Sequence, residues 1–249
     1  MSATQSIEST ATLDRADQSL GSIAVELPGA TAVFRALKLD FCCHGNVSLR
    51  QAAHDKGLNL DDLVDQLAAL QRVDALPENI APAALIDHIV ARYHEAHRAQ
   101  LPELVRMAKR VELVHANNPN VPAGLAAVLE TMQADMFDHL LKEEQILFPL
   151  IKAGGHPQIQ DPINVIRSEH IDHGAALDKI NALTNDATPP PGACNTWRAL
   201  YTGIGQFTDD LINHIHLENN VLFPAFEAAS APQKTSGGCG GGGGGCGCN

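Results

Sequence analysis

An internal repeat constrains this 249-residue chain more than any other feature. Segments 138–149 and 213–224 both read His-x-x-x-Glu, then an aliphatic residue and Leu-Phe-Pro. Residues four apart lie on one face of an α-helix, so each segment offers an imidazole and a carboxylate to the same point. A single pair of this kind is usually a solvated surface contact, but its repetition with the same flanking residues predicts metal binding. The predicted ligands are His139 and Glu143 in one helix and His214 and Glu218 in the other.

Each repeat segment follows a helical segment that carries a histidine near its start, and the register of the repeat selects His88 and His170. At about 100° per residue, His94 and His97 point about 240° and 180° away from His88, so they cannot join its face. His173 lies only about 60° from His170 and is predicted to stand beside the site. Four imidazoles and two carboxylates shared between two ions suit iron or manganese better than calcium or a thiolate zinc site.

Glycine and proline signals divide most of the chain into long helices with modest loops, which predicts an all-α fold. We expect an antiparallel four-helix bundle preceded by a small helical N-terminal domain. The four helices are predicted near 83–115, 122–152, 159–185 and 194–228. The predicted divisions are a disordered N-terminus (1–14), the small domain (15–76), a linker (77–82), the bundle (83–230) and a disordered Gly/Cys-rich tail (231–249).

Charge and composition exclude several classes of protein. The formal net charge is −12, from 29 acidic and 17 basic residues. Without a basic patch, binding to nucleic acid or to an anionic membrane surface is not expected. No stretch approaches the roughly 20 apolar residues that span a bilayer, and residues 1–20 lack the apolar core of a secretory signal. The six cysteines do not form a disulfide framework, which favours a reducing cytoplasm.

The adjacent thiols of Cys42 and Cys43 form a second candidate site, in a loop next to His44. A helix N-terminus pointing at the pair would lower the pKa of the thiols and make them nucleophiles or iron ligands. The alternative is that the two side chains are small buried hydrophobes. Three further cysteines lie in the Gly-rich tail, where the spacing indicates no defined metal site.

The segment Leu39-Asp40-Phe41-Cys42-Cys43, together with the doubled His-x-x-x-Glu segments, resembles the repair-of-iron-centres family of the YtfE, ScdA and NorA type. The likeness runs from about residue 18 to residue 228. It implies a hemerythrin-like di-iron bundle behind an ScdA-type domain, in a cytoplasmic, often dimeric protein, and it implicates the Cys42-Cys43 pair in function. The ligand positions of the family match His88, His139, Glu143, His170, His214 and Glu218. His44 departs from the family, which usually has glycine there.

The resemblance implies a protein that helps to restore iron-sulfur clusters damaged by nitric oxide or peroxide. The first hypothesis is therefore iron supply to iron-sulfur proteins as clients, from two iron ions per chain. The second is a module that binds or buffers nitric oxide or dioxygen at the same centre. A third, weaker hypothesis is a di-iron oxidase or reductase, although a conventional turnover enzyme is not expected. The Cys42-Cys43 pair favours the first, since a pure gas binder needs no second domain with thiols.

Overall fold

The computed structural model describes residues 15–27, 29–70 and 80–227. These residues form helices and no strand, apart from one antiparallel bridge between Ser19 and Ser48. No helix in this described part is both long and apolar enough to cross a membrane. The predicted disordered segments 1–14 and 231–249, and residues 77–79 of the predicted linker 77–82, lie outside the described residues.

Four short helices make up the N-terminal part. They are α1 (Leu20–Glu26), α2 (Ala30–Ala36), α3 (Leu49–Lys56) and α4 (Leu60–Ala68). The side chains of Ser19, Ser48 and Asn59 accept hydrogen bonds from free N–H groups at the starts of α1, α3 and α4, which stabilises helices this short. Phe34 and Phe41 are fully buried among the leucines of these helices. The loop between α2 and α3 carries both adjacent cysteines.

Four long rods follow, and three of them contain a widened π-helical turn. The first rod is α5 (Pro82–Ile89), a π segment (Val90–His94) and α6 (Glu95–Val114); the second is α7 (Leu125–Lys142), a π segment (Glu143–Leu147) and α8 (Phe148–Lys152). The third is α9 (Gln160–Thr184), and the fourth is α10 (Asn195–His216), a π segment (Leu217–Leu222) and α11 (Pro224–Glu227). α6 packs against α7 and α10, and α7 packs against α9. The predicted four-helix bundle is confirmed.

The Leu-Phe-Pro ending of each repeat coincides with a π segment. The Phe223 N–H donates to the Glu218 carbonyl at 2.9 Å, five residues back, and Phe148 donates to the Glu143 carbonyl in the same way. Proline has no N–H and its ring crowds the preceding turn, so a widened turn before it relieves this conflict. π turns of this kind are rare and concentrate at functional sites.

Two apolar clusters fill the bundle, one toward each end. One contains Leu101, Leu129, Trp197 and Phe207. The other contains Leu85, Ile89, Phe148, Ile163 and Phe223. On every rod, the polar residues described next lie at or close to the junction between the stretches that enter these clusters. The bundle therefore holds a polar layer at mid-height, sealed above and below by apolar side chains.

Candidate metal centre

Six side chains from the four rods converge in this polar layer and make two candidate metal sites. The first site is His94, Glu143, His214 and Glu218; the second is His139, Glu143, His170 and Glu218. Within each site, one potential ligand atom from every residue lies within 4.8 Å of the others. None of the six residues is more than 1% exposed. The two sites share both carboxylates.

The shared carboxylates face the two sites with different oxygens. Glu143 places Oε2 at 3.4 Å from His94 Nε2 and Oε1 at 3.3 Å from His139 Nε2. Glu218 places Oε2 at 3.1 Å from His170 Nε2 and Oε1 at 3.2 Å from His214 Nε2. With metal–ligand distances of about 2.1 Å, neighbouring ligand atoms on one ion lie about 3 Å apart. The geometry therefore fits two bridging carboxylates with two imidazoles at each end.

Several buried polar atoms in the layer have no hydrogen-bond partner, and their charge indicates whether a cation fits there. Both oxygens of Glu143 and of Glu218 are buried and accept no hydrogen bond, and a buried charge without compensation is costly. His94 Nε2 and His214 Nε2 also face each other at 3.1 Å. Burial alone would lower the pKa of His139, but Glu143 and Glu169 outweigh burial and raise it to about 10. The layer thus attracts positive charge, and its imidazole and carboxylate donors suit a first-row metal such as iron.

The prediction of His88 as a ligand is wrong, and His94 stands in its place. His88 is exposed to solvent and belongs to neither site, whereas His94 is 0% exposed and belongs to the first. One of the two residues is exposed and the other is buried, and the inward face of the rod is the one that carries His94. The other predicted ligands, His139, Glu143, His170, His214 and Glu218, are brought together by the fold.

The repeat contains a signal that identifies His94. The segments His94-x-x-His97 and His170-x-x-His173 match each other. His94 precedes His139 by 45 residues and His170 precedes His214 by 44, whereas His88 precedes His139 by 51. Equal spacing is expected for two hairpins related by a pseudo-twofold axis. The spacing therefore selects His94.

Side chains behind the ligands hold three of the four imidazoles in place. His94 Nδ1 lies 2.7 Å from Glu144 Oε1, and His139 Nδ1 lies 2.8 Å from Glu169 Oε2. The hydrogen bond with His139 lowers the pKa of Glu169 to about 2, so this partner is a carboxylate at neutral pH. With a carboxylate on Nδ1, the imidazole directs the lone pair of Nε2 at the metal position. His170 instead donates from Nδ1 to the amide oxygen of Asn219 at 3.0 Å.

Two further histidines line the centre without joining either site. The His97 ring lies 5.4 Å from the His214 ring, and the His173 ring lies 4.8 Å from the His139 ring. Burial lowers the pKa of both His97 and His173 to about 3. They are therefore neutral, and His173 stands beside the site, as its position near His170 predicted.

The cysteine pair lies against the third rod, close to the centre. Cys42 Sγ and Cys43 Sγ are 3.7 Å apart, and Cys43 Sγ lies 3.5 Å from the His170 carbonyl oxygen. For Cys42, the neighbouring helices do not meet the condition for a lowered pKa, because the loop position lies several residues after the end of α2 and several residues before the start of α3. The hydrogen bond with Cys43, burial and the nearby Asp40 instead raise the pKa of Cys42. Cys42 is thus a protonated thiol at neutral pH when nothing binds to it.

A four-helix bundle with two buried histidine and carboxylate sites of this kind defines the hemerythrin class of cation-binding proteins. Residues 85–226 match the family described as hemerythrin HHE cation binding domain. Residues 16–71 match a domain of unknown function, DUF542.

Several curated relatives match most of the chain. The chain is 51% identical over 211 residues to iron-sulfur cluster repair protein YtfE of Dickeya chrysanthemi, covering 84% of this chain and 96% of the relative. It is 50% identical over 215 residues to YtfE of Yersinia pseudotuberculosis, covering 85% and 97%. A probable iron-sulfur cluster repair protein of Haemophilus influenzae is 47% identical over 214 residues, covering 84% and 96%. The chain belongs to this YtfE family of iron-sulfur cluster repair proteins.

Proposed function

We propose that this chain binds two iron ions and takes part in the repair of iron-sulfur clusters damaged by nitrosative and oxidative stress. The observation that carries the proposal is the pair of buried sites that share Glu143 and Glu218. The names of its relatives support the same function. The proposed ligands are His94 and His214 at one iron and His139 and His170 at the other.

The donors of each site would hold an iron ion and leave part of its coordination sphere open. Each site offers two imidazoles and one oxygen from each shared carboxylate, which leaves positions of a six-coordinate ion open to small molecules. Bound iron at this centre supplies a transferable metal ion. Glu144 and Glu169 orient one imidazole at each site, and the apolar clusters exclude water from both ends of the layer.

The proposed clients are iron-sulfur proteins that have lost iron. Cys42 and Cys43 are the candidate thiol site in this process, because Cys43 Sγ reaches the backbone of the His170 ligand. The family resemblance supports a cytoplasmic homodimer that acts on proteins and not on nucleic acid or membranes. We do not propose a conventional turnover enzyme, since the proposed role is delivery of iron.

A second candidate function is binding or buffering of nitric oxide or dioxygen. The neutral rings of His97 and His173 beside the centre favour it, because small uncharged molecules are compatible with uncharged, buried surroundings. Such binding would use the same open metal positions. It would not require the cysteine pair.

Recovery of a damaged client distinguishes the two functions. The iron-loaded protein is incubated with an enzyme whose iron-sulfur cluster has been destroyed by nitric oxide, and the return of that enzyme's activity is measured. We expect recovery with the wild type and loss of recovery with Glu143→Leu, which removes a bridging carboxylate. The double variant Cys42→Ala/Cys43→Ala should keep its iron and lose most of the recovery.

His88→Ala is the matched control, because this exposed histidine belongs to neither site. It should repair as well as the wild type. Full recovery with Glu143→Leu would overturn the repair proposal. Reversible nitric oxide binding by a protein that restores no client would instead establish the buffering function.

A further inference from the structure

The loop between α2 and α3 contains a cluster of donors outside the bundle. Asp40, Cys42 and Cys43 each place a potential ligand atom within 4.8 Å of the others. Cys42 and Cys43 are free thiols and half-buried, while Asp40 is exposed. We propose that these three residues form a second metal site, which takes a thiophilic divalent cation in tetrahedral coordination.

The distances in this loop match the edges of a tetrahedral site. With metal–sulfur bonds of about 2.3 Å, two thiolates on one tetrahedral ion lie about 3.8 Å apart; Cys42 Sγ and Cys43 Sγ are 3.7 Å apart. With a metal–oxygen bond of about 2.0–2.2 Å, sulfur and oxygen lie about 3.5 Å apart; Cys42 Sγ and Asp40 Oδ1 are 3.4 Å apart. These two distances in the metal-free loop therefore already match those expected around a bound tetrahedral ion.

The loop backbone and His44 hold the carboxylate in this position. Asp40 Oδ1 accepts a hydrogen bond from the Cys43 N–H at 2.9 Å, and Asp40 Oδ2 lies 2.6 Å from His44 Nδ1. Carboxylates that ligate a metal are commonly held in place by further hydrogen bonds of this kind. The three residues leave the fourth position of a tetrahedral ion for water or an incoming ligand.

The site is accessible from outside and close to the bundle centre. A cavity of about 960 Å³ is lined by Asp40, Cys42, Cys43 and His44 on one side and by α9 on the other. On the inner side, Cys43 Sγ is 3.5 Å from the carbonyl of the ligand residue His170. Since thiolate ligands select soft and borderline cations, the site fits zinc or ferrous iron better than calcium or magnesium.

Ferrous iron as the natural occupant rests on the proposed function. A thiolate site between solvent and the buried centre would then hold iron in transit. The pKa of Cys42 is raised in the metal-free protein, so binding of the cation must displace a proton. The existence of the site does not depend on which cation occupies it in the cell.

Cobalt titration tests the site directly, because thiolate-bound Co²⁺ absorbs in the near ultraviolet by charge transfer. The full chain is used with its tail thiols removed by Cys239→Ser, Cys246→Ser and Cys248→Ser, and with its bundle loaded with iron. We expect one equivalent of Co²⁺ to produce the band under reducing, anaerobic conditions. Cys42→Ser and Cys43→Ser should each abolish the band, and Asp40→Asn should weaken binding by about tenfold or more.

Cys194→Ser is the matched control, since Cys194 is a free thiol distant in sequence from the loop. It should leave the band unchanged. Absence of the band, its persistence in the double Cys42→Ser/Cys43→Ser variant, or its appearance only with the tail cysteines present would each overturn the proposal. Iron content is measured on the same samples: a chain that binds cobalt at the loop but no iron in the bundle would refute the proposed function and leave this site standing.

Discussion

At the scale of single residues, the four proposed histidine ligands differ in the side chain that lies behind each of them. His94 and His139 each have a carboxylate on Nδ1, from Glu144 and Glu169. His170 has the neutral amide of Asn219, and His214 Nδ1 is buried with no hydrogen-bond partner. A carboxylate partner makes an imidazole a stronger ligand. Each proposed iron therefore has one strongly and one weakly supported histidine.

Replacing His94 by alanine should remove one of the two irons, because His94 is the strongly supported imidazole of its site. We expect iron per chain, measured by mass spectrometry after anaerobic loading, to fall from about two to about one. His88→Ala should keep about two, since His88 is exposed and touches neither site. Loss of one iron in His88→Ala, with about two retained in His94→Ala, would identify His88 as the ligand and refute the assignment of His94.

At the scale of elements, the last π segment joins the small domain to the metal centre. Asn219 Nδ2 donates to the Cys42 carbonyl at 2.9 Å, while the oxygen of the same amide accepts from His170 Nδ1. The neighbouring Asn220 donates to the Phe41 carbonyl at 3.0 Å, and its amide also lies 3.0 Å from Nδ1 of His216, which belongs to neither site. A single amide therefore orients both the cysteine loop and a metal ligand.

Asn219→Ala should loosen the cysteine loop and weaken iron binding, whereas Asn220→Ala should loosen the loop alone. We expect faster amide hydrogen exchange across residues 39–45 in both variants, because each loses a hydrogen bond that holds this loop. Iron transfer to a competing chelator should accelerate by about tenfold or more only in Asn219→Ala, which also releases His170. Equal acceleration in both variants would show that Asn219 does not orient the ligand.

At the scale of the whole molecule, the polar layer divides the core of the bundle. Glu143 and Glu218 are fully buried between the two apolar clusters, and buried charges of this kind need positive charge close by. Burial raises the pKa of Glu218, but His170 and the other nearby imidazoles outweigh burial and lower it. Without metal, the layer depends on protonated histidine to compensate its carboxylates.

Removal of iron should lower the stability of the whole bundle. Binding to the native state alone contributes about 3 kcal/mol when free metal is 100 times its dissociation constant. For a chain of this size, that loss lowers the midpoint of thermal unfolding by about 5–10 °C. Calorimetry before and after anaerobic chelation measures the shift.

The double variant Glu143→Leu/Glu218→Leu provides the comparison. It should unfold at a higher temperature than metal-free wild type, because two buried charges have been replaced by apolar side chains. It should not respond to the chelator. An unchanged wild-type midpoint after complete iron removal would show that the layer is stable without metal.

Much of this organisation follows from local patterns. The bundle helices were predictable near their observed bounds because glycine and proline mark their ends and apolar residues recur with the helical period. His139 and Glu143 were predictable together because four residues of helix place both side chains on one face. The π segments were not predicted, since the Leu-Phe-Pro motif indicates a proline boundary but not a widened turn.

The sequence by itself determined the helical fold, the repeated pair of ligands in two helices and the adjacency of the two thiols, because each depends on residues close together in the chain. The equal spacing of the histidine pairs favours His94 over His88, but only the tertiary structure decided which face of the first rod points inward. It also decided that Asn219 links the cysteine loop to His170, and that Asp40 stands at a ligand distance from Cys42. These outcomes depend on how segments distant in the chain pack against one another, and a short pattern of residues does not predict the energy of that packing.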